Sequence, residues 1–375
     1  MSHKFVNMPR LLAAMKSAGL DAAVVASPDN FFYVSSVKIL TQVLVRDRLA
    51  LAIVTADGAA SLVVCKAEEG LAKRYTWVDD VHTYVEFHES PMQAVAALLA
   101  EKGLGRAKIG VEKRFVTAAY FEDLAGRLPG ATLASCDAAF DHARMVKTTQ
   151  EIEMLRIAAR GSDEAIGKAF HAARPGCAEH ILVPVMIGHL FETGRGEFRD
   201  ITWGVATGAN ILTTHYWAGE STLAPQDAVR INVRSTYQGY FSHLYRMGVV
   251  GEPTARQREW YEKARDIHRA AIERLRPGAI ASDLFHAARK HMSDLGVDTR
   301  GAHVGHSTGI SLHENPRLQA IDQTILEPGM VIASEPLIVD VDRCVYHLED
   351  LVLVTDKGPE LMSNRTDTKS LIRIG

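Results

Sequence analysis

The last third of the chain carries His306, His313, Glu335 and Glu349, side chains that bind metal ions or move protons. They fall in three runs that alternate like strands: G-H-S-T-G-I-S-L-H-E-N-P from Gly305, L-E-P-G-M-V-I-A-S-E-P from Leu326, and Y-H-L-E-D-L-V-L-V-T from Tyr346. Imidazole nitrogens and carboxylate oxygens together suit zinc, manganese or iron. Two further runs lie upstream, Val229-Arg230-Ile231-Asn232-Val233 and Gly239-Tyr240-Phe241-Ser242-His243-Leu244-Tyr245-Arg246. Gly208-Ala209-Asn210 is followed by His215-Tyr216.

From about Thr148 to the C-terminus these segments resemble the pita-bread family of creatinase, prolidase and the methionine and Xaa-Pro aminopeptidases. The N-terminal part is similar to that of creatinase and prolidase. Family metallopeptidases hold two divalent cations between Asp, Asp, His, Glu and Glu in chain order. The resemblance puts Asn232 where the first Asp belongs and His243 where the second belongs, while His306, Glu335 and Glu349 match the remaining three. It also implies that His215 is the general base, that His313 stabilises the tetrahedral intermediate and that Arg317 binds a substrate carboxylate. Tyr245 stands where creatinase has the Glu that grips a guanidinium, and Glu349 where creatinase has His, so creatine itself is not the expected substrate.

Charge decides between the open readings. The family's full set sets four negative charges against two divalent ions, whereas this set offers the two carboxylates of Glu335 and Glu349, so a two-ion site is not expected. The first expectation is a creatinase-like hydrolase acting on a C–N bond of a small amide, ureide or amidine. It would use no cofactor, with His215, His306, His313, Glu335 and Glu349 as catalytic residues and Arg317, Tyr245, Asn232 and His243 lining the substrate. The alternative is an Xaa-Pro-type dipeptidase or aminopeptidase with one divalent cation (Zn, Mn or Fe) on His243, His306, Glu335 and Glu349. A non-catalytic binding module is the second alternative.

These residues need a scaffold that brings distant strands together. The expected fold is an α/β N-terminal domain over 1–145 and an α+β pita-bread domain over 146–375 with an internal pseudo-twofold duplication. Helices are expected over Pro9–Ala18 and Pro91–Lys102, with strands at Ala22–Ala26, Leu49–Val54, Ala60–Val64 and Ala107–Val111, and a hairpin at Asp57-Gly58. Thr148/Glu151 and Thr254/Gln257 form capping boxes, and each of the two long helices they open ends at Arg-Pro-Gly. That repeated punctuation points to the duplication, and two helix pairs on one curved, largely antiparallel sheet fit the order.

Gly305-His306-Ser307-Thr308-Gly309 matches the nucleophile-elbow pattern, but the residues after Gly309 alternate like a strand and stop at Pro316, where an elbow needs a helix. A net charge of −3 gives no electrostatic case for nucleic acid. Four scattered cysteines read as reduced thiols, no run is long enough to span a membrane, and a cytoplasmic protein is expected. The resemblance implies a homodimer in which the partner's N-terminal domain closes the site, with Phe31, Phe32, Arg46 and Arg48 as candidates for that contact.

Overall fold

A computed structural model describes residues 4–45, 47–194, 202–297, 301–341 and 343–375. They form two compact units, Met1–Arg144 and Met145–Gly375.

In the first unit, β1 (Ala22–Val25), β2 (Leu51–Thr55), β3 (Ala60–Cys65), β4 (Asp80–Tyr84), β5 (Lys108–Val111) and β6 (Thr132–Ser135) make one sheet in the order β4-β3-β2-β1-β5-β6. The β2–β3 hairpin turns through Gly58 at φ 87°, as the Asp-Gly pair predicts. Helices lie at Met8–Ser17 and Pro91–Glu101, each within a residue or two of expectation. Two candidates for closing a partner's site are corrected. Phe31 and Phe32 sit in a helix over Pro28–Ser35 that Ser27 caps, and both are buried in this unit's own core. Arg48 lies 3.7 Å from Glu86, and Arg46 lies outside the described residues.

The second unit repeats a helix–helix–strand order. Helices Thr149–Ala172 and Leu182–Glu192 precede β7 (Thr202–Ala206), β8 (Ala228–Tyr237) and β9 (Tyr240–Val250). Helices Ala255–Glu273 and Ala281–Asp294 precede β10 (His303–Ser307), β11 (Glu314–Gln319) and β12 (Val331–Ser334). Both long helices open on the expected capping boxes, and both Arg-Pro-Gly turns end in a glycine with positive φ, Gly176 at 82° and Gly278 at 86°.

The strands do not form one continuous sheet. With β13 (Leu337–Asp340), β14 (Cys344–His347), β15 (Asp350–Thr355), β16 (Gly358–Leu361) and β17 (Ile372–Ile374), they divide into a four-stranded sheet β17-β9-β8-β7, a five-stranded sheet β11-β10-β12-β15-β16 and a β13–β14 ribbon. The pairing is antiparallel except for β17 along β9. Among the described residues, the bridge from Tyr245 to Glu349 ties the four-stranded sheet to the start of β15. The ladder breaks where the chemistry-bearing side chains gather.

Candidate active site

Register on β8 and β9 assembles one wall of the site. Asn232 lies opposite Tyr245, and Arg234 opposite His243. Positions two apart on a strand share a face, so all four project to one side. Asn232 Nδ2 lies 2.7 Å from His243 Nε2, and Arg234 Nε donates to the same nitrogen at 3.2 Å.

The second sheet supplies the facing wall. His306 is on β10, Glu335 follows β12, and Glu349 precedes β15. His306 Nδ1 lies 2.9 Å from the Ser307 carbonyl, so it is the protonated nitrogen and Nε2 presents a lone pair 3.2 Å from Glu335 Oε1. His243 Nδ1 lies 3.0 Å from Glu349 Oε1. The buried atoms His306 Nε2, His243 Nδ1, Glu335 Oε1 and both Glu349 oxygens nevertheless make no hydrogen bond of proper geometry. Ligand atoms of these four residues all lie within 4.8 Å of one another. Buried polar atoms without partners are costly, and a cluster of them with this N/O composition fits one divalent cation.

Electrostatics separates the two glutamates. Burial pushes the Glu335 carboxyl up, and positive charge on His306 and His347 beside it pulls it well below the carboxylate range. Burial and then the Glu335 charge push Glu349 well above that range. Two carboxyls this close favour a single shared proton until a cation replaces it. Burial drives His243 well below the ordinary imidazole value. Burial, followed by the neighbouring His306, brings His313 to about 3, so it works as a neutral ring, stacked on His306 with centroids 3.6 Å apart. Burial and then Arg234 lower His215. Burial, chiefly, raises the Tyr245 phenol to about 12, and its ring stacks on His347 at 3.8 Å.

A cavity of about 560 Å³ lies against this cluster, lined among others by His215, Arg234, His243, His313, Glu335 and His347. A smaller one of about 110 Å³ adjoins it through His215 and Arg234 and reaches Asn232 and Tyr245. The loop that carries His215 is organised by a buried carboxylate. Glu179 accepts from the backbone N–H of Thr207 and of Gly219 and from Asn210 Nδ2, and Asn210 also donates to the Tyr216 hydroxyl. The Asn of Gly208-Ala209-Asn210 therefore works as a brace for the His215 loop.

Arg317 is on β11, exposed, and outside the lining of both cavities. Ser307 Oγ is buried and accepts from Lys147 Nζ at 2.7 Å, and no helix follows Gly309, so the elbow pattern carries no nucleophile. The charged or imidazole-bearing lining residues missed from sequence are Arg234, His303 and His347. For Arg234 a signal existed, since it follows Asn232 by two residues on the same strand.

Residues 153–356, more than half of the chain, match metallopeptidase family M24, and residues 8–146 match the creatinase/prolidase N-terminal domain. An Xaa-Pro dipeptidase of Lactobacillus delbrueckii subsp. lactis is 28% identical over 356 residues, covering 94% of this chain and 95% of that protein. A creatinase of Bacillus sp. (strain B-0618) is 27% identical over 370 residues, covering 94% and 88%. Among solved structures, the prolidase from Pyrococcus furiosus superposes with a TM-score of 0.80 at 25% identity, over 95% of this chain and 100% of that one.

Proposed function

The chain belongs to metallopeptidase family M24, and from that membership we propose a hydrolase that cleaves the amide C–N bond of a small Xaa-Pro-type dipeptide with one divalent cation. The observation that carries the reading is the convergence, on His306, Glu335 and Glu349, of buried ligand atoms that make no proper hydrogen bond, with His243 beside them. One imidazole and two carboxylates balance a divalent charge and resemble the three-ligand sets that leave a position open. A cation bound there supplies Lewis-acid polarisation of the scissile carbonyl and a more acidic water.

The remaining steps belong to this chain's own groups. His215, on the shared edge of both cavities and favoured by burial in its neutral form, takes the proton from the attacking water and returns it to the leaving nitrogen. His313, neutral and stacked on His306, donates to the oxygen that becomes anionic. Assembly as a homodimer belongs to the same proposal and is supported by the resemblance to creatinase and prolidase.

A cation-free acid–base site, the first expectation from sequence, keeps one observation in its favour: the Arg234 guanidinium already places a positive charge beside His243. Membership of a metallopeptidase family and the orphaned buried atoms favour the cation. Assaying protein with and without added Mn²⁺ or Zn²⁺ against Xaa-Pro dipeptides and against small ureides and creatine tests the choice. The proposal expects dipeptide hydrolysis that a chelator abolishes. Chelator-resistant turnover of a ureide or of another small amide would replace it with the cation-free reading.

A further inference from the structure

We propose that Arg234 is a positioning residue that fixes the proton of the neutral His243 ring on Nδ1 and withdraws the ring from ion binding, leaving His306, Glu335 and Glu349 as the ligands. The ligand assignment rests on the cation reading above, whereas the protonation of His243 does not.

Arg234 Nε carries a hydrogen and no usable lone pair, and arginine does not deprotonate in proteins. Its contact with His243 Nε2 at 3.2 Å therefore requires a lone pair on that ring nitrogen. Asn232 Nδ2 approaches the same nitrogen at 2.7 Å. An amide can be turned end for end to accept instead, but the guanidinium cannot, so Arg234 sets the tautomer. The proton of neutral His243 then sits on Nδ1, the atom 3.0 Å from Glu349 Oε1. A protonated nitrogen is not a metal ligand.

His306 has the opposite assignment. The Ser307 carbonyl takes the hydrogen of Nδ1 at 2.9 Å, and the free lone pair of Nε2 faces Glu335. The two histidines, alike in sequence as ligand candidates, are thus sorted into one donor and one ligand by their outer partners. The same register that places Arg234 opposite His243 also puts a fixed positive charge on the wall where the family carries its first two aspartates. With two carboxylates facing it, that charge leaves room for one divalent cation and not two.

The test uses full-length protein with ¹⁵N-labelled histidine, stripped of metal, and two-bond ¹H–¹⁵N correlation spectra, with His243→Gln to assign the signal. Wild type and Arg234→Lys, whose ammonium still donates, are expected to show His243 protonated at Nδ1. Arg234→Met is expected to move that proton to Nε2. Titration with Zn²⁺, followed in the same spectra, supplies the second readout. On binding, the His306 Nε2 signal should shift while the His243 Nδ1–H persists in the wild type. In Arg234→Met the freed His243 Nδ1 should shift as well. An Nε2-protonated His243 in the wild type would overturn the role of Arg234. Loss of the His243 Nδ1–H from the wild type on Zn²⁺ binding would overturn the ligand assignment. If neither wild type nor Arg234→Met takes up Zn²⁺, the cation reading fails together with the ligand assignment, and the spectra still judge Arg234.

Discussion

Arg246 Nη1 donates to the backbone carbonyl of Glu349 at 2.6 Å, and the same fully buried guanidinium reaches Asp350 Oδ1 at 2.5 Å and Asp163 Oδ1 at 3.2 Å. One arginine on β9 thus holds the backbone of a proposed ion ligand on the other sheet and ties both to the long helix Thr149–Ala172. Replacing Arg246 by Leu leaves two buried aspartates without their cation. Removing one partner of a buried ion pair costs about 3–5 kcal/mol. Urea unfolding of Arg246→Leu should show a loss of that size. A loss below about 1 kcal/mol would mean that the aspartates find other partners.

A second prediction concerns pH and the cap of that helix. Glu151 accepts from the Thr148 backbone N–H at 2.8 Å and from the Tyr240 hydroxyl at 3.2 Å, and burial, its largest influence, raises its carboxyl to about 7. A folded-state value above the ordinary 4.5 means that the native state holds the proton more tightly than the unfolded chain. Its stabilising effect is complete below the ordinary value and is lost as pH rises through about 7. The loss amounts to about 3 kcal/mol. Glu151→Gln keeps the cap and cannot ionise. Measured from pH 4 to 8, wild type should lose stability relative to Glu151→Gln as pH rises. Parallel curves would show that Glu151 ionises in the native state as it does in the unfolded chain.

His215 gives a kinetic prediction. Its loop is braced by Glu179 and Asn210 and not by the imidazole itself, so His215→Ala should fold normally. It should lose about 10²- to 10⁴-fold in kcat. A general base must be neutral, and burial together with Arg234 lowers His215 below the ordinary 6.5. The acid limb of kcat/KM should therefore fall below about 6.5, and it should disappear in His215→Ala. An unchanged limb in the variant would assign the base elsewhere.

Ion uptake should also move a proton. Burial and then the charge of Glu335 push the Glu349 carboxyl well above its ordinary range, and a ligand carboxylate must lose its proton. Calorimetry at pH 7 in two buffers of different ionisation enthalpy should report release of about one proton per ion bound. In Glu349→Gln the release should vanish and the ion should bind more weakly. Uptake without proton release would mean that Glu349 is already ionised or is not a ligand.

The sequence exposed what is local. Thr148/Glu151 and Thr254/Gln257 mark their helices because a capping box is decided within four residues, and Asp57-Gly58 marks its hairpin for the same reason. The spacing of His306, Glu335 and Glu349 was legible through the family resemblance, and the structure brings them together. Arg234, His303 and His347 were not legible, because a charged or aromatic residue on an alternating strand reads as surface until register shows which face it shares. Phe31 and Phe32 were misassigned for the converse reason: Ser27-Pro28 caps a helix that turns them into the core. Arg317 was carried over by resemblance, and its exposed place on β11 depends on the path of the chain after His313.

The most direct test of the central claim is elemental analysis of protein purified without an affinity metal column, before and after incubation with Mn²⁺, Zn²⁺ or Fe²⁺ and removal of the excess. A site with two carboxylates, one histidine in the ligand form and a guanidinium on the opposite wall predicts about one ion per chain, lost in His306→Ala and in Glu335→Gln. Two ions per chain, or fewer than about a tenth of one after loading, would contradict it.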